Sequence, residues 1–97
     1  MGVAVPLNNL AENPLAGSVH TAAYKHLLST VVEARSKAGL SQAQLAQRIG
    51  KPASFVGKYE VGERRLDVIE LLVVLNALDA DSTDFILELR NQLPEQL

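Results

Sequence analysis

The sequence predicts an all-α domain of five short helices, and three observations predict it. Two cap signatures stand where helices would begin: Ser41 is followed three residues on by Gln44, and Asp67 by Glu70. Apolar residues recur at helical spacing in five stripes. Glycine or proline closes most of those stripes, at Gly39, Gly50, Gly62 and Pro94. Ninety-seven residues make one domain with a modest core, the size at which oligomerisation often adds needed stability.

Residues 1–17 carry Pro6, Pro14, two adjacent asparagines and the single charge Glu12, with no period long enough to define an element. They read as a flexible N-terminal arm, although Val3, Ala4 and Val5 could add a short strand to a partner. Ser18 or Thr21 can cap the first helix, whose apolar stripe is Tyr24, Leu27, Leu28, Val31, Val32 and Ala38, closed by Gly39. The second helix opens at the Ser41–Gln44 capping box, carries Leu45, Ala46 and Ile49, and ends at Gly50 after barely two turns. Pro52 is tolerated in the first turn of the third helix, because its missing N–H would be unpaired there anyway. Val56 and Tyr59 form that helix's buried face, and residues 61–66 make a loop presenting Arg64 and Arg65 side by side. Asp67 and Glu70 open the fourth helix, with Val68, Leu71, Leu72, Leu75 and Leu78 expected to fill its core face. Asp81 or Ser82 caps the fifth, whose apolar face is Phe85, Ile86, Leu89 and Leu93 before Pro94 breaks it.

Two helices this short, joined at Gly50, must cross steeply, and the crossing needs a small side chain where the backbones meet. Ala46 supplies it. This is the helix-turn-helix plan, over residues 41–61. The later of its helices exposes Ala53, Ser54, Gly57 and Lys58 on the side away from Val56 and Tyr59, where they face a major groove. Beyond the motif, the runs GLSQAQLAQRIG and SFVGKYEVGERRLDVIELL resemble the xenobiotic-response-element family of helix-turn-helix proteins, the Cro and phage-repressor type. The resemblance covers roughly residues 24–85.

That resemblance implies a lambda-repressor-like DNA-binding domain occupying residues 18–97. It implies phosphate contacts from Gln42 and from the loop, here Arg64 and Arg65, to which the exposed base Lys51 is added, and base contacts from the early positions of the third helix, where Ala53, Ser54, Gly57 and Lys58 are the outward residues. It also implies a partly buried ion pair between Arg35 and Glu60, tying the first helix to the third. A position at a helix end, where the dipole alone would repel Glu60, agrees with a cationic partner; the alternative is that Arg35 touches phosphate. The base-reading positions depart from the family's pattern. Pro52 replaces a common Ser or Thr, Ala53 stands where members often carry Gln, and Gly57 where many carry Ser. Ala53 can touch a thymine methyl but cannot make a bidentate contact with adenine, so specificity must rest on Ser54, Lys58 and DNA shape.

A net charge of −2 and a pI near 5.6 argue at first against a polyanionic partner. The distribution reverses that argument. Residues 35–65 hold seven bases against two acids, whereas residues 66–97 hold one base against seven acids. Positive charge therefore coincides with the helix-turn-helix, and the acidic, apolar C-terminal half suits protein contacts. Ile69, Val73 and Leu87 lie away from the expected core faces and point to a homodimer interface.

Other chemistries are poorly supported. With no cysteine there is no disulfide, thiol nucleophile or thiolate metal site. His20 and His26 fall on different sides of a helix, with no carboxylate cluster to complete a metal shell. No nucleophile elbow or glycine-rich phosphate loop occurs, so neither a catalytic site, a metal nor a cofactor is expected. The longest apolar run, residues 71–75, is too short for a membrane, and the chain reads as cytoplasmic. The expected function is a dimeric regulator on double-stranded DNA carrying an inverted-repeat operator, most simply a repressor. An adaptor or anti-activator that binds protein through its C-terminal half, or the antitoxin of a toxin pair, shares the same fold.

Overall fold

Residues 21–97 are described by the computed structural model, so the expected arm over residues 1–17, Ser18 and His20 lie outside the described residues. The chain forms α1 (Ala22–Lys37), α2 (Gln42–Ile49), α3 (Ala53–Glu60), α4 (Val68–Ala77) and α5 (Ser82–Arg90), with no strand among the described residues.

Each start has a local cause. Thr21 Oγ1 accepts the Tyr24 N–H at 3.2 Å and caps α1. At α2 the Gln44 N–H donates to Ser41 Oγ at 3.1 Å while Gln44 Oε1 accepts the Ser41 N–H at 2.8 Å, a reciprocal capping box. Asp67 and Glu70 repeat that exchange at α4, at 2.7 and 3.0 Å. Asp81 caps α5 by accepting from the backbone of Thr83 and Asp84. Pro52 occupies the cap position of α3 and offers no side-chain bond. Gly50, at φ 72°, ends α2 in the left-handed region that a side chain disfavours.

α2 packs on α3 and α4, α1 packs on α3 and α5, and α4 packs on α5. The core between them holds Tyr24, Leu28 and Val31 of α1, Leu45 and Ala46 of α2, Val56 and Tyr59 of α3, Leu66, Leu71, Val74, Leu75 and Leu78, and Phe85 of α5. Ala46 is 1% exposed, in keeping with a close helix crossing.

Three parts of the expected packing are corrected. The core face of α4 is Leu71, Val74, Leu75 and Leu78, whereas Val68 and Leu72 are exposed. The helix is apolar nearly all round, and packing against α2 and α5 selected the stripe that includes Val74. On α5 only Phe85 is buried and Leu89 half-buried; Ile86 is exposed, and Leu93 lies past the helix end at Arg90. Ala38 is the exposed C-cap of α1 rather than a member of its stripe.

Candidate nucleic-acid interface

The joint between α2 and α3 is short and hydrogen-bonded: the Lys51 N–H donates to the Ala46 carbonyl at 2.9 Å. α3 is anchored from inside by Val56 and Tyr59, both fully buried. Helical spacing then turns Ala53, Ser54 and Lys58 outward, and all three are exposed. Gly57 is only half-buried and lies under α2; a Cβ built on it would stand 3.5 Å from Gln42 Oε1.

The orientation of α3 is held at its C-terminal end by Arg35 and Glu60. Arg35 Nε donates to Glu60 Oε2 at 2.7 Å and Nη2 to Oε1 at 3.1 Å, a bidentate pair between side chains only 15% and 6% exposed. Arg35 Nη1 also donates to the Leu40 carbonyl at 2.8 Å, and Gln42 Nε2 donates to Glu60 Oε1 at 2.8 Å. The Glu60 carboxylate thus ties the ends of α1 and α3 to the start of α2, and Arg35 extends the tie to the α1–α2 turn. Hydrogen bonding to Glu60 raises the Arg35 pKa further above its ordinary value despite partial burial. Burial also pushes the Tyr59 phenol up, with the neighbouring Glu60 charge adding to it. Its hydroxyl finds no hydrogen-bond partner among the described residues.

After α3, Gly62 takes φ 84° and the turn closes by the Glu63 and Arg64 N–H groups donating to the Lys58 carbonyl. Arg64 Nη1 and Nη2 reach Glu70 Oε1 and Oε2 at 3.0 and 2.8 Å, and Nη1 also donates to the Arg65 carbonyl at 2.9 Å. The guanidinium carbon lies 4.6 Å from the Phe55 ring centroid, and Lys51 Nζ lies 5.4 Å from the same ring. The Arg64 bonds, then the Asp67 N–H, hold the Glu70 carboxyl down at about 2. Arg65 is exposed with its guanidinium 4.8 Å from the Tyr24 ring centroid, and Tyr24 Oη accepts the Leu66 N–H at 3.0 Å.

The basic block is therefore unequal in availability. Arg35 and Arg64 face carboxylates, and Arg48 Nη1 donates to the Ala77 carbonyl at the end of α4. Lys37, Lys51 and Lys58 are exposed and enter no ion pair among the described residues. The structure thus brings Arg35, Glu60, Gln42 and Gly57 together at one junction, and Lys51, Phe55 and Arg64 at another. Ile69, Val73 and Leu87 stand apart from both, exposed on α4 and α5. The role of Phe55 and the Arg64–Glu70 contact are not legible in the sequence. Glu70 already had a local role in a capping box, and a spacing of six residues across a loop carries no periodic signal.

Elsewhere, His26 Nε2 lies 3.9 Å from Glu88 Oε2, and no group of three potential metal ligands occurs among the described residues. No described helix is long and apolar enough to cross a membrane.

A helix-turn-helix family model matches residues 31–85, from the middle of α1 into α5. Among solved structures, the chain is similar to an XRE-family like protein from Pseudomonas syringae pv. tomato str. DC3000. The two share 42% identity and superpose with a TM-score of 0.73, over 81% of this chain and 96% of that one. No curated protein matches the chain.

Proposed function

This chain belongs to the XRE family of helix-turn-helix proteins, and from that membership we propose that it is a sequence-specific, dimeric DNA-binding regulator acting on an inverted-repeat operator. The observation that carries the reading is α3, held from inside by Val56 and Tyr59 and from its end by Arg35, while Ala53, Ser54 and Lys58 face outward. In this reading α3 enters the major groove. Ser54 and Lys58 donate to base edges, Ala53 meets a thymine methyl, and Gly57 lets the groove wall approach. Lys51, Arg65 and the exposed N-terminus of α2 at Gln42 lie against phosphates on either side. Repression is the simplest outcome, since a dimer seated on a promoter excludes polymerase, and the site of action is the cytoplasm.

Weak base readers make the dimer part of the mechanism. Two recognition helices set about 34 Å apart by a two-fold axis contact successive major grooves, so modest discrimination is applied twice. Exposed Ile69 and Val73 on α4 and Leu87 on α5 provide the apolar surface for that axis. The same surface, beside an acidic C-terminal half, also suits a different protein, which is the adaptor reading.

Selection of bound fragments from genomic DNA separates the two. Enrichment of one inverted repeat is the expected result, and enrichment of nothing favours the adaptor. Anisotropy titration of the enriched duplex should then show an affinity loss of roughly a thousandfold between about 50 and 200 mM salt, the loss for about six phosphate contacts per dimer. Equal affinity at the two salt concentrations would remove phosphate neutralisation from the mechanism.

A further inference from the structure

Arg64 lies in a loop that suits a phosphate, yet its surroundings are those of a built joint. Both terminal nitrogens are committed to the two oxygens of Glu70, one of them also serves the Arg65 carbonyl, and the guanidinium lies over the ring of Phe55. Each end of this joint is already ordered. Phe55 belongs to α3 and stands edge-on to Tyr59, with ring centroids 5.7 Å apart and planes at 73°. Glu70 belongs to α4, and its Oε1 accepts the Asp67 N–H that completes the capping box. One guanidinium therefore spans from a ring on the recognition helix to the first turn of the helix that carries Ile69 and Val73.

We propose that Arg64 is a positioning residue, clamped by Glu70 and stacked on Phe55 so as to set α3 against α4, and that it does not neutralise a DNA phosphate. The proposal rests on the DNA-binding reading. Exposed ion pairs ordinarily add little, because two long side chains must be ordered for a screened attraction. Here the capping box has ordered Glu70, and packing on Tyr59 has ordered Phe55, so little further freedom is lost. A flat guanidinium can pair edge-on with a carboxylate and face-on with a ring at the same time, which an ammonium cannot. Turning its paired terminal nitrogens to a phosphate would require Arg64 to leave Glu70, exchanging one bidentate contact for another.

The two roles predict opposite signs at Glu70. If Arg64 were a phosphate ligand, Glu70→Gln would remove an acid and release a base, and DNA would bind more tightly. If Arg64 is a clamp, the same change weakens binding by about two- to fivefold, the worth of one partly exposed cation–π contact. Gln at this position keeps the capping box, so α4 still starts correctly.

The experiment measures anisotropy of the selected genomic duplex with wild type, Glu70→Gln, Arg64→Lys and Arg64→Gln, together with amide exchange by mass spectrometry on the free proteins. Expected are weaker binding by all three variants, with Arg64→Lys as impaired as Arg64→Gln, and an undiminished salt slope for Arg64→Gln. Faster exchange in residues 53–60 than in wild type, with residues 22–37 unchanged, is expected for each variant. Tighter binding by Glu70→Gln overturns the proposal. So does wild-type binding by Arg64→Lys, or a salt slope shallower by about 0.9 per protomer for Arg64→Gln. If the wild type selects no duplex, the DNA reading fails by itself. Exchange in residues 53–60 then decides the clamp, acceleration supporting it and no change overturning it.

Discussion

At the scale of single residues, Arg35 and Glu60 carry the most structural consequence for their size. A carboxylate at the C-terminal end of α3 opposes the helix dipole, and here the opposition is offset by three donors, two from Arg35 and one from Gln42. Because the pair is mostly screened from water, removing one partner leaves the other poorly solvated. Urea unfolding of Arg35→Ala, Glu60→Ala and the double variant should give a coupling of about 1–3 kcal/mol. Strictly additive losses would show that the pair contributes nothing as a pair. Gly57 is the second residue of note, because glycine within a helix is unfavourable and this one has no need of positive φ. An added methyl meets Gln42 Oε1 at ordinary contact distance, so Gly57→Ala should raise stability by about 0.5–1 kcal/mol. If the groove wall approaches at Gly57 as proposed, the same variant will be more stable yet bind DNA less tightly. Gains in both would move the base contacts toward Ala53.

At the scale of elements, every helix but α3 begins on a side-chain cap, and neighbouring helices are joined by side-chain ties. α4 shows this best: Asp67 and Glu70 cap its start, Arg64 holds Glu70 to α3, and Arg48 of α2 donates to the Ala77 carbonyl at its end. The start of α4 is sensitive to acid. Glu70 keeps its charge down to about 2 in the folded protein, whereas in the unfolded chain it titrates near the ordinary carboxylate value of 4.5. As pH falls from about 4.5 toward 2, the unfolded state takes up this proton first, and the stability contributed by the ionised carboxylate is lost. Above 4.5 that contribution is fully present. Urea midpoints collected across this window should fall less steeply for Glu70→Gln than for wild type, and parallel slopes would mean that Glu70 is not held ionised.

At the scale of the whole molecule, the apolar surface left outside the core is what a monomer has no use for. Val68, Ile69, Val73, Ile86 and Leu87 are all at least two-fifths exposed, and four of them neighbour one another in sequence pairs on α4 and α5. Each apolar side chain fully buried against a partner contributes about 1.5–3 kcal/mol, and a two-fold interface counts every one twice. That suffices to oppose the entropy lost on association. Val73→Asp and Leu87→Asp should therefore sediment as monomers while keeping wild-type helicity, and their affinity for the operator should fall with the loss of the second recognition helix. Unchanged sedimentation with unchanged DNA affinity would place the dimer surface elsewhere on the chain.

What the sequence determined by itself is local. Ser41 with Gln44, Asp67 with Glu70, and Gly50 each act within a few residues, through backbone groups whose need for partners does not depend on the rest of the fold, so helix starts and the sharp joint were readable before any packing was known. The buried faces of α2 and α3 were equally legible, because Leu45, Ala46, Val56 and Tyr59 recur at helical spacing on helices whose other positions include Gln44, Gln47, Ser54, Lys58 and Glu60. On α4 that contrast is missing: valine, isoleucine and leucine surround the helix, and only packing against α2 and α5 chose Val74 for the core over Val68 and Leu72. The charges divide in the same way. Clustering of bases around residues 35–65 is a property of the sequence, but which of them face outward depends on contacts between elements distant along the chain. Arg48 reaching Ala77 and Arg64 joining Phe55 to Glu70 exist only once α2, α3 and α4 are brought together, because side-chain hydrogen bonds of this kind follow three-dimensional distance and leave no period in the sequence.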